Sequence, residues 1–272
     1  MSENLSISVI DFDEVTSTQD VARKFIKEGK YCHGLVFKAN KQTEGRGRLE
    51  RSWDSQEGGL WVSLVIQKEL PLELFHGFSV RLGLRIIQEL EKIIPLGFKI
   101  KWPNDIILLS KKVGGILIEL SSSGEFLSHM ICGIGINVDN SYSDFPKSFR
   151  NNATTLRKEI DSELQNLKDE VSKELLVSVN LAAVEKAVIT AFYHLLKDLE
   201  TRQELVDLTS IWDDYSETIN QQIKLEIANE SIIGIERGIT PSGELLLEKT
   251  DGTIIEIQTG DVYLVRKTNT TK

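Results

Sequence analysis

Residues 59–66 read GLWVSLVI, a β-rich run with a single polar side chain, Ser63. A strand so uniformly apolar has no face to give to water, so it belongs inside a sheet that is covered by other elements. Downstream, Phe75, Phe78, Leu82, Ile86, Leu90 and Ile93 recur at three- and four-residue spacing. This predicts one long amphipathic helix over 72–94, packed on that sheet. Upstream, residues 5–12 alternate as a first strand. The capping side chains of TSTQD (16–20) precede a helix that begins over Val21 to Lys27, and residues 34–39 form a strand. FKIKWPNDIILLSKKVGGILIEL reads as two or three short strands, broken at Pro103-Asn104 and at Ser110 to Lys112. FLSHMICGIGINV is another buried strand, ending on alternating glycines. From Leu156 to Glu217 the pattern is helical, with an acidic stretch at 158–174 before a stronger helix at 181–201. After Trp212 short strands are separated by ANES, TPSGE and KTDGT, a turn rhythm that suggests a small antiparallel β-barrel. The expected fold is α+β, with a mixed β-sheet and flanking helices in residues 1–215 and a small β domain in 216–272. The boundary is expected near Asp213 to Thr218.

The chain has 272 residues, 32 basic against 41 acidic side chains, and a net charge of −9. That balance argues against broad nucleic-acid binding, which needs a basic face, but it permits one small anion in one basic pocket. No apolar run approaches the roughly 18 residues of a membrane span. The N-terminus carries acidic residues where a secretory signal needs a basic start, so a cytoplasmic protein without a membrane partner is expected. Cys32 and Cys132 sit in apolar surroundings and read as inert core thiols. The four histidines are scattered without paired spacing, which disfavours a protein-held zinc site.

Against the acidic background stands TEGRGRLERSW, residues 43–53. Gly45 and Gly47 let the backbone approach a ligand. Arg46, Arg48 and Arg51 are suited to clamping phosphate or carboxylate oxygens, and Trp53 offers a flat face for a nucleobase. In isolation such a stretch is equally a solvated basic turn. KWPND (101–105) places Lys101, Asn104 and Asp105 at a turn after a strand, with Asp105 able to hold an arginine or a magnesium ion. In KKVGGILIE (111–119), Lys112 lies beside the apolar strand and can present its ammonium over the glycine backbone, whereas Lys111 reads as solvated. GIGINV (133–138) lacks the third glycine and the following helix of a dinucleotide fingerprint, and no Walker phosphate loop occurs.

In this order, and together with TSTQD and ATTL (153–156), these motifs resemble the biotin protein ligase family, with Gln19 where the family has asparagine. The resemblance spans about residues 5–266. It implies a class II synthetase-like catalytic domain followed by an SH3-like β domain. It also implies an ATP-dependent ligase that makes biotinyl-5′-AMP and transfers biotin to a lysine of a biotin carboxyl carrier domain. ATP and biotin would be substrates and Mg2+ the accompanying ion. By similarity, Ser17, Thr18 and Gln42 hydrogen-bond the ureido ring, and Gly45, Arg46 and Arg48 cover the ligand. Lys112 is the principal catalytic cation and contacts both biotin and ATP; Arg48 lies near the biotin carboxylate and the phosphate, and Arg51 aids on the ATP side. Gly115 and Gly135 approach biotin closely, and Trp53 and Asn137 border the adenine. Lys101, Asn104 and Asp105 support the phosphates, with Asp105 the candidate magnesium ligand. The alternatives are a lipoate–protein ligase and a biotin-binding regulatory protein without catalysis. The full set of motifs favours biotin, and the complete set of candidate cations favours catalysis. Only 16 residues precede Ser17, too few for a helix-turn-helix, so a monofunctional form without DNA binding is expected. A homodimer paired through sheet edges is open to it. Two features lie outside the resemblance. Glu44 stands where the family often has a small residue and is expected to tether Arg46 or Arg48. The acidic stretch 158–174 is expected to be a surface insertion. Residues 44–52 offer little to pack and are expected to be mobile when empty.

Overall fold

In the computed structural model, which describes residues 6–141, 145, 149–166, 174, 176–201, 207–227 and 230–265, the run 59–66 becomes β3 (Leu60–Ile66), buried at every position. It sits inside a seven-stranded sheet. The partners are β1 (Ser8–Val15), β2 (Leu35–Gln42), β4 (Phe98–Lys101), β5 (Asp105–Leu108), β6 (Lys111–Ser123) and β7 (Phe126–Ile136), in the order β1-β2-β3-β7-β6-β5-β4. Only β1 and β2 run parallel, which makes the sheet mixed. Both faces are covered. Leu60, Val62, Leu64 and Ile66 enter the main core, beneath α2 (Phe78–Glu91) and α4 (Leu181–Thr201). Val65 points the other way and joins Phe37, Ile131 and Ala22 under α1 (Thr18–Lys27).

Two boundaries differ from expectation. Helix α1 starts at Thr18 rather than Val21, because Ser17 is the residue that caps it. The helix expected over 72–94 is broken: Leu72–Phe75 form a 3-10 turn, and α2 begins only after Gly77, whose φ is +62°. A Cβ on Gly77 would lie 2.7 Å from the Ser242 carbonyl oxygen. The break thus lets the chain pass close to a turn of the C-terminal sheet.

The acidic stretch also departs from expectation at its start. Helix α3 (Leu156–Leu164) is capped by Thr155 and buries Leu156, Glu159 and Ile160, so this part is core rather than surface insertion. Residues 167–173 lie outside the described residues. Beyond α5 (Leu208–Tyr215), five antiparallel strands form a second sheet: β8 (Gln222–Ile227), β9 (Glu230–Ile239), β10 (Leu245–Glu248), β11 (Ile254–Ile257) and β12 (Asp261–Leu264). Their order is β11-β10-β9-β8-β12. Ile223, Leu225, Leu245 and Leu247 extend the main core without a break. Both cysteines are free and buried, and burial pushes the Cys132 thiol far above its ordinary value. Among the described residues no helix is long and apolar enough to cross a membrane.

Glu236 on β9 is fully buried and ties this second sheet to the segment entering it. Its carboxylate accepts from Trp212 Nε1 (2.8 Å), Ser216 Oγ (2.7 Å) and the Thr218 hydroxyl. Burial raises its pKa, and the three donors only partly offset that. A carboxyl whose folded pKa is raised adds stability that is fully present below its unfolded value and is lost as pH rises through the folded value. Glu236→Gln keeps the shape and removes the charge. Its Tm is expected to exceed that of the parent at pH 7 to 8 (on the order of a few degrees) and to converge with it as pH falls toward the ordinary glutamate value. Thermal melts across that range check this; parallel curves would count against it.

Candidate active site

The depression in the main sheet follows from a pairing without side chains: Gly115 of β6 lies directly opposite Gly135 of β7. Trp53 rests on this floor. A Cβ on Gly135 would lie 2.8 Å from Trp53 Nε1, and one on Gly115 would lie 3.5 Å from the Trp53 ring. The indole packs edge-on against Trp61, with ring centroids 6.5 Å apart. Its Nε1 is buried without a hydrogen-bond partner. Such an orphan donor is costly unless another group can accept from it.

Lys112 borders the same floor, its Nζ 5.1 Å from the Trp53 ring centroid and 2.6 Å from Asp105 Oδ1. On a regular strand residues 112 and 115 face opposite sides. Here the ladder between β5 and β6 shifts between Ile106 and Ile107, so that Ile106 pairs with Gly114 but Ile107 pairs with Lys112. Val113 is the extra residue of this bulge. The Lys112 side chain consequently lies over Gly115, where a Cβ would be 3.4 Å from Cε.

At one end of the floor, Ser17 caps α1 and Thr18 donates through both N–H (2.8 Å) and hydroxyl (3.1 Å) to Gln42 Oε1. Gln42 Nε2 in turn donates to Ser55 (2.8 Å). Gln19, in the asparagine position, is buried and donates to the Leu117 carbonyl beside Gly133. At the other end, Asn104 donates to the Ile116 carbonyl (2.6 Å), and Asn137 donates to the Thr154 carbonyl while accepting from Asn140.

The arginine loop closes over one side as a tight hairpin. Trp53 N–H donates to the Gly45 carbonyl and Gly47 N–H to the Arg51 carbonyl (2.8 and 2.7 Å). At its tip Leu49 and Glu50 take left-handed φ values of 53° and 57°. Each arginine finds a resident acid. Arg46 forks onto Asp20, both contacts at 2.9 Å, and this pair with Arg23 keeps the Asp20 carboxyl below its ordinary range despite partial burial. Arg48 and Arg51 both meet Asp261 of β12, and Arg48 also donates to the Gly260 carbonyl at 3.1 Å. The loop therefore has packing partners where few were expected, and its tethers are Asp20 and Asp261, not Glu44, which is exposed.

Asp105 is gripped by Lys112 and, at 3.4 Å, by Lys101. Burial pulls its pKa up, but the two ammonium groups outweigh it and hold the carboxyl ionised. Both oxygens are thus committed to cations, a poor fit to a protein-held magnesium ion. Among the described residues no group of three acidic, histidine or cysteine side chains could hold a metal. An ion here fits better as one carried by the phosphates of a nucleotide.

The cleft brings together every residue assigned to the site in the sequence except Gly45, which is buried at the base of the loop. Sequence reasoning missed Gln19, Gly133 and Asp261, which line the cleft, and Asp20, which holds Arg46. Gln19 and Asp20 were inside the TSTQD motif. Asp261 had no local signal at all.

The chain matches the Biotin/lipoate A/B protein ligase family over residues 10–137 and the Biotin protein ligase C terminal domain over 218–265. It is 30% identical to the bifunctional ligase/repressor BirA of Bacillus subtilis across 97% of this chain and 76% of that protein. It is 25% identical to the biotin–[acetyl-CoA-carboxylase] ligase of Mycobacterium tuberculosis across 88% and 82%. Among solved structures, the biotin protein ligase from Aquifex aeolicus in complex with biotin and ATP superimposes with a TM-score of 0.70 at 32% identity, covering 95% of this chain and 98% of that one.

The seat of Trp53 can be checked without any ligand. Trp61, Trp102 and Trp212 are buried, so a displaced Trp53 dominates any change in emission. Gly135→Ala is expected to push the indole toward water and shift the emission maximum to longer wavelength with unchanged far-UV circular dichroism. The shift should vanish when Trp53→Phe is added. An unaltered spectrum in Gly135→Ala would contradict the packing described.

Proposed function

The chain belongs to the biotin protein ligase family, and from that premise we propose that the glycine-floored cleft carries the chemistry of both half-reactions. The enzyme activates biotin with ATP and transfers it to the biotin carboxyl carrier subunit of a carboxylase. In the first step a biotin carboxylate oxygen attacks the α-phosphorus of ATP. The bond to the bridging oxygen breaks, and pyrophosphate leaves. In the second, an uncharged acceptor lysine amine attacks the acyl carbon, AMP departs with its phosphate oxygen, and the nitrogen sheds a proton.

The first step brings two anions together, so fixed positive charge must offset their repulsion. The observation that carries the reading is Lys112 poised over the Gly115–Gly135 floor, with Arg48 and Arg51 on the loop beside it. We assign Lys112, Arg48 and Arg51 to the developing charge, with Lys101 and Asn104 behind the phosphates. Asp105 is assigned to orienting the two lysines. Ser17, Thr18 and Gln42 are assigned to the ureido ring, supported by their hydrogen-bonding groups converging at one end of the floor. Trp53 and Asn137 are assigned to the adenine side, with Gly45 and Arg46 covering the ligand. ATP and biotin anions must displace resident carboxylates, because each candidate cation already has one.

The proposed division is residues 1–215 for catalysis and 216–272 for the C-terminal unit, supported by sheet membership; Asp261 reaches across it. A ligase acting without DNA is the form proposed, in keeping with the net charge of −9. If two copies pair through a sheet edge, β1 offers it, because the outer side of β4 is bridged by Ser216.

ATP–pyrophosphate exchange with biotin and lipoate in parallel tests the substrate, and exchange with lipoate alone would reverse it. Lys112→Ala and Arg48→Ala are each expected to lose on the order of 3 kcal/mol of transition-state stabilisation, a hundredfold or more in exchange rate. Near-parental exchange in both variants would refute the site assignment.

A further inference from the structure

The two lysines that open β6 part company. Lys112 turns into the cleft, but its neighbour Lys111 turns to the back and meets Glu159 Oε1 at 3.3 Å. Lys111 read as a solvated residue in the sequence; it is instead the partner of a carboxylate that is only 6% exposed. Burying a charge is unfavourable unless it is paired and hydrogen-bonded, so Glu159 must serve its surroundings.

What Glu159 serves is the segment 152–154. Its Oε1 accepts from the Thr154 hydroxyl at 2.5 Å. Thr154 is fully buried, and its N–H donates to the Lys112 carbonyl (2.9 Å), while Lys112 N–H donates to the Asn152 carbonyl (2.8 Å). The segment thus lies beside Lys112 as a short parallel bridge. The Thr154 carbonyl accepts from Asn137 Nδ2 at 3.1 Å. One buried carboxylate therefore steadies the residue that grips both the Lys112 backbone and the Asn137 amide.

We propose that Lys111, Glu159 and Thr154 form a positioning device for the nucleotide side of the cleft, acting through Lys112 and Asn137 without touching substrate. The inference rests on the assignment of those two residues to ATP. The device bears on ATP because its bonds reach the Lys112 backbone and the Asn137 amide, whereas the ureido end of the floor, Thr18, Gln42 and Ser63, lies on α1, β2 and β3.

The test is steady-state ATP–pyrophosphate exchange on the full chain, with KM for ATP and for biotin measured separately. Lys111→Met strands the Glu159 charge and is expected to raise KM for ATP on the order of tenfold, as misplacement of a catalytic group does, with KM for biotin unchanged. Adding Glu159→Gln to Lys111→Met removes the stranded charge and should return KM for ATP most of the way to the parent. Thr154→Val, which strands no charge, provides a second variant should Lys111→Met fold poorly, and it should raise KM for ATP alone. Unchanged KM for ATP in Thr154→Val, or KM values for ATP and biotin rising together, would overturn the proposal. Lys112→Ala run alongside separates the two readings. If it is inactive while the positioning variants are silent, only this inference fails; if it exchanges normally, the site assignment falls and this inference with it.

Discussion

The cross-strand pair Gly115–Gly135 is the contact on which the site depends. Cross-strand neighbours ordinarily fill the surface of a sheet with their side chains. Here two antiparallel strands, in unbroken register from Gly114 to Ser121, present bare backbone at one point. The surrounding positions are large and buried: Trp61 on β3, Ile116 on β6, Ile134 and Ile136 on β7. A rigid, densely packed sheet with one missing layer is a stable way to seat the Trp53 indole directly on backbone, since the apolar mass beneath it pins the strands on every side. Sequence, pairing and packing converge there. The strands are apolar enough to be buried, and the glycines are opposite each other because the register makes them so.

Charge is the second organising constraint. An acidic chain builds a cationic cleft by giving each cation an acid partner: Asp20 for Arg46, Asp261 for Arg48 and Arg51, Asp105 for Lys101 and Lys112. These pairs let like charges crowd together without a ligand. They also link the parts of the fold, since Asp20 belongs to α1 and Asp261 to the C-terminal sheet. On the proposed assignment, incoming phosphate and carboxylate groups replace an existing interaction, so selectivity falls on ligands that satisfy several cations at once.

Much of this was legible in the residues, for identifiable reasons. A capping segment ahead of α1, β3 as an interior strand and the turns around TPSGE and KTDGT rest on local chemistry, which a sequence displays directly. The break before α2 was not legible, because its reason is the carbonyl of Ser242, far along the chain. Lys111, Glu159 and Asp261 were passed over for a related reason. A charged side chain looks solvated until the fold supplies its partner, and here each partner is tens to hundreds of residues away. Gln19 was noticed as a substitution, but its reach to the Leu117 carbonyl across the sheet needed coordinates.

The bulge at Val113 makes one sequence spacing a matter of parity. Lysine and the second glycine stand three residues apart, an odd count that would normally put them on opposite sides of β6. One inserted residue converts the odd count to an effectively even one and brings ammonium and bare backbone into the same cleft. The motif K-V-G-G thus encodes a length as much as a set of side chains. A regular ladder through the same four residues, with no bulge, would leave every named group in the chain and yet turn the cation away from the floor.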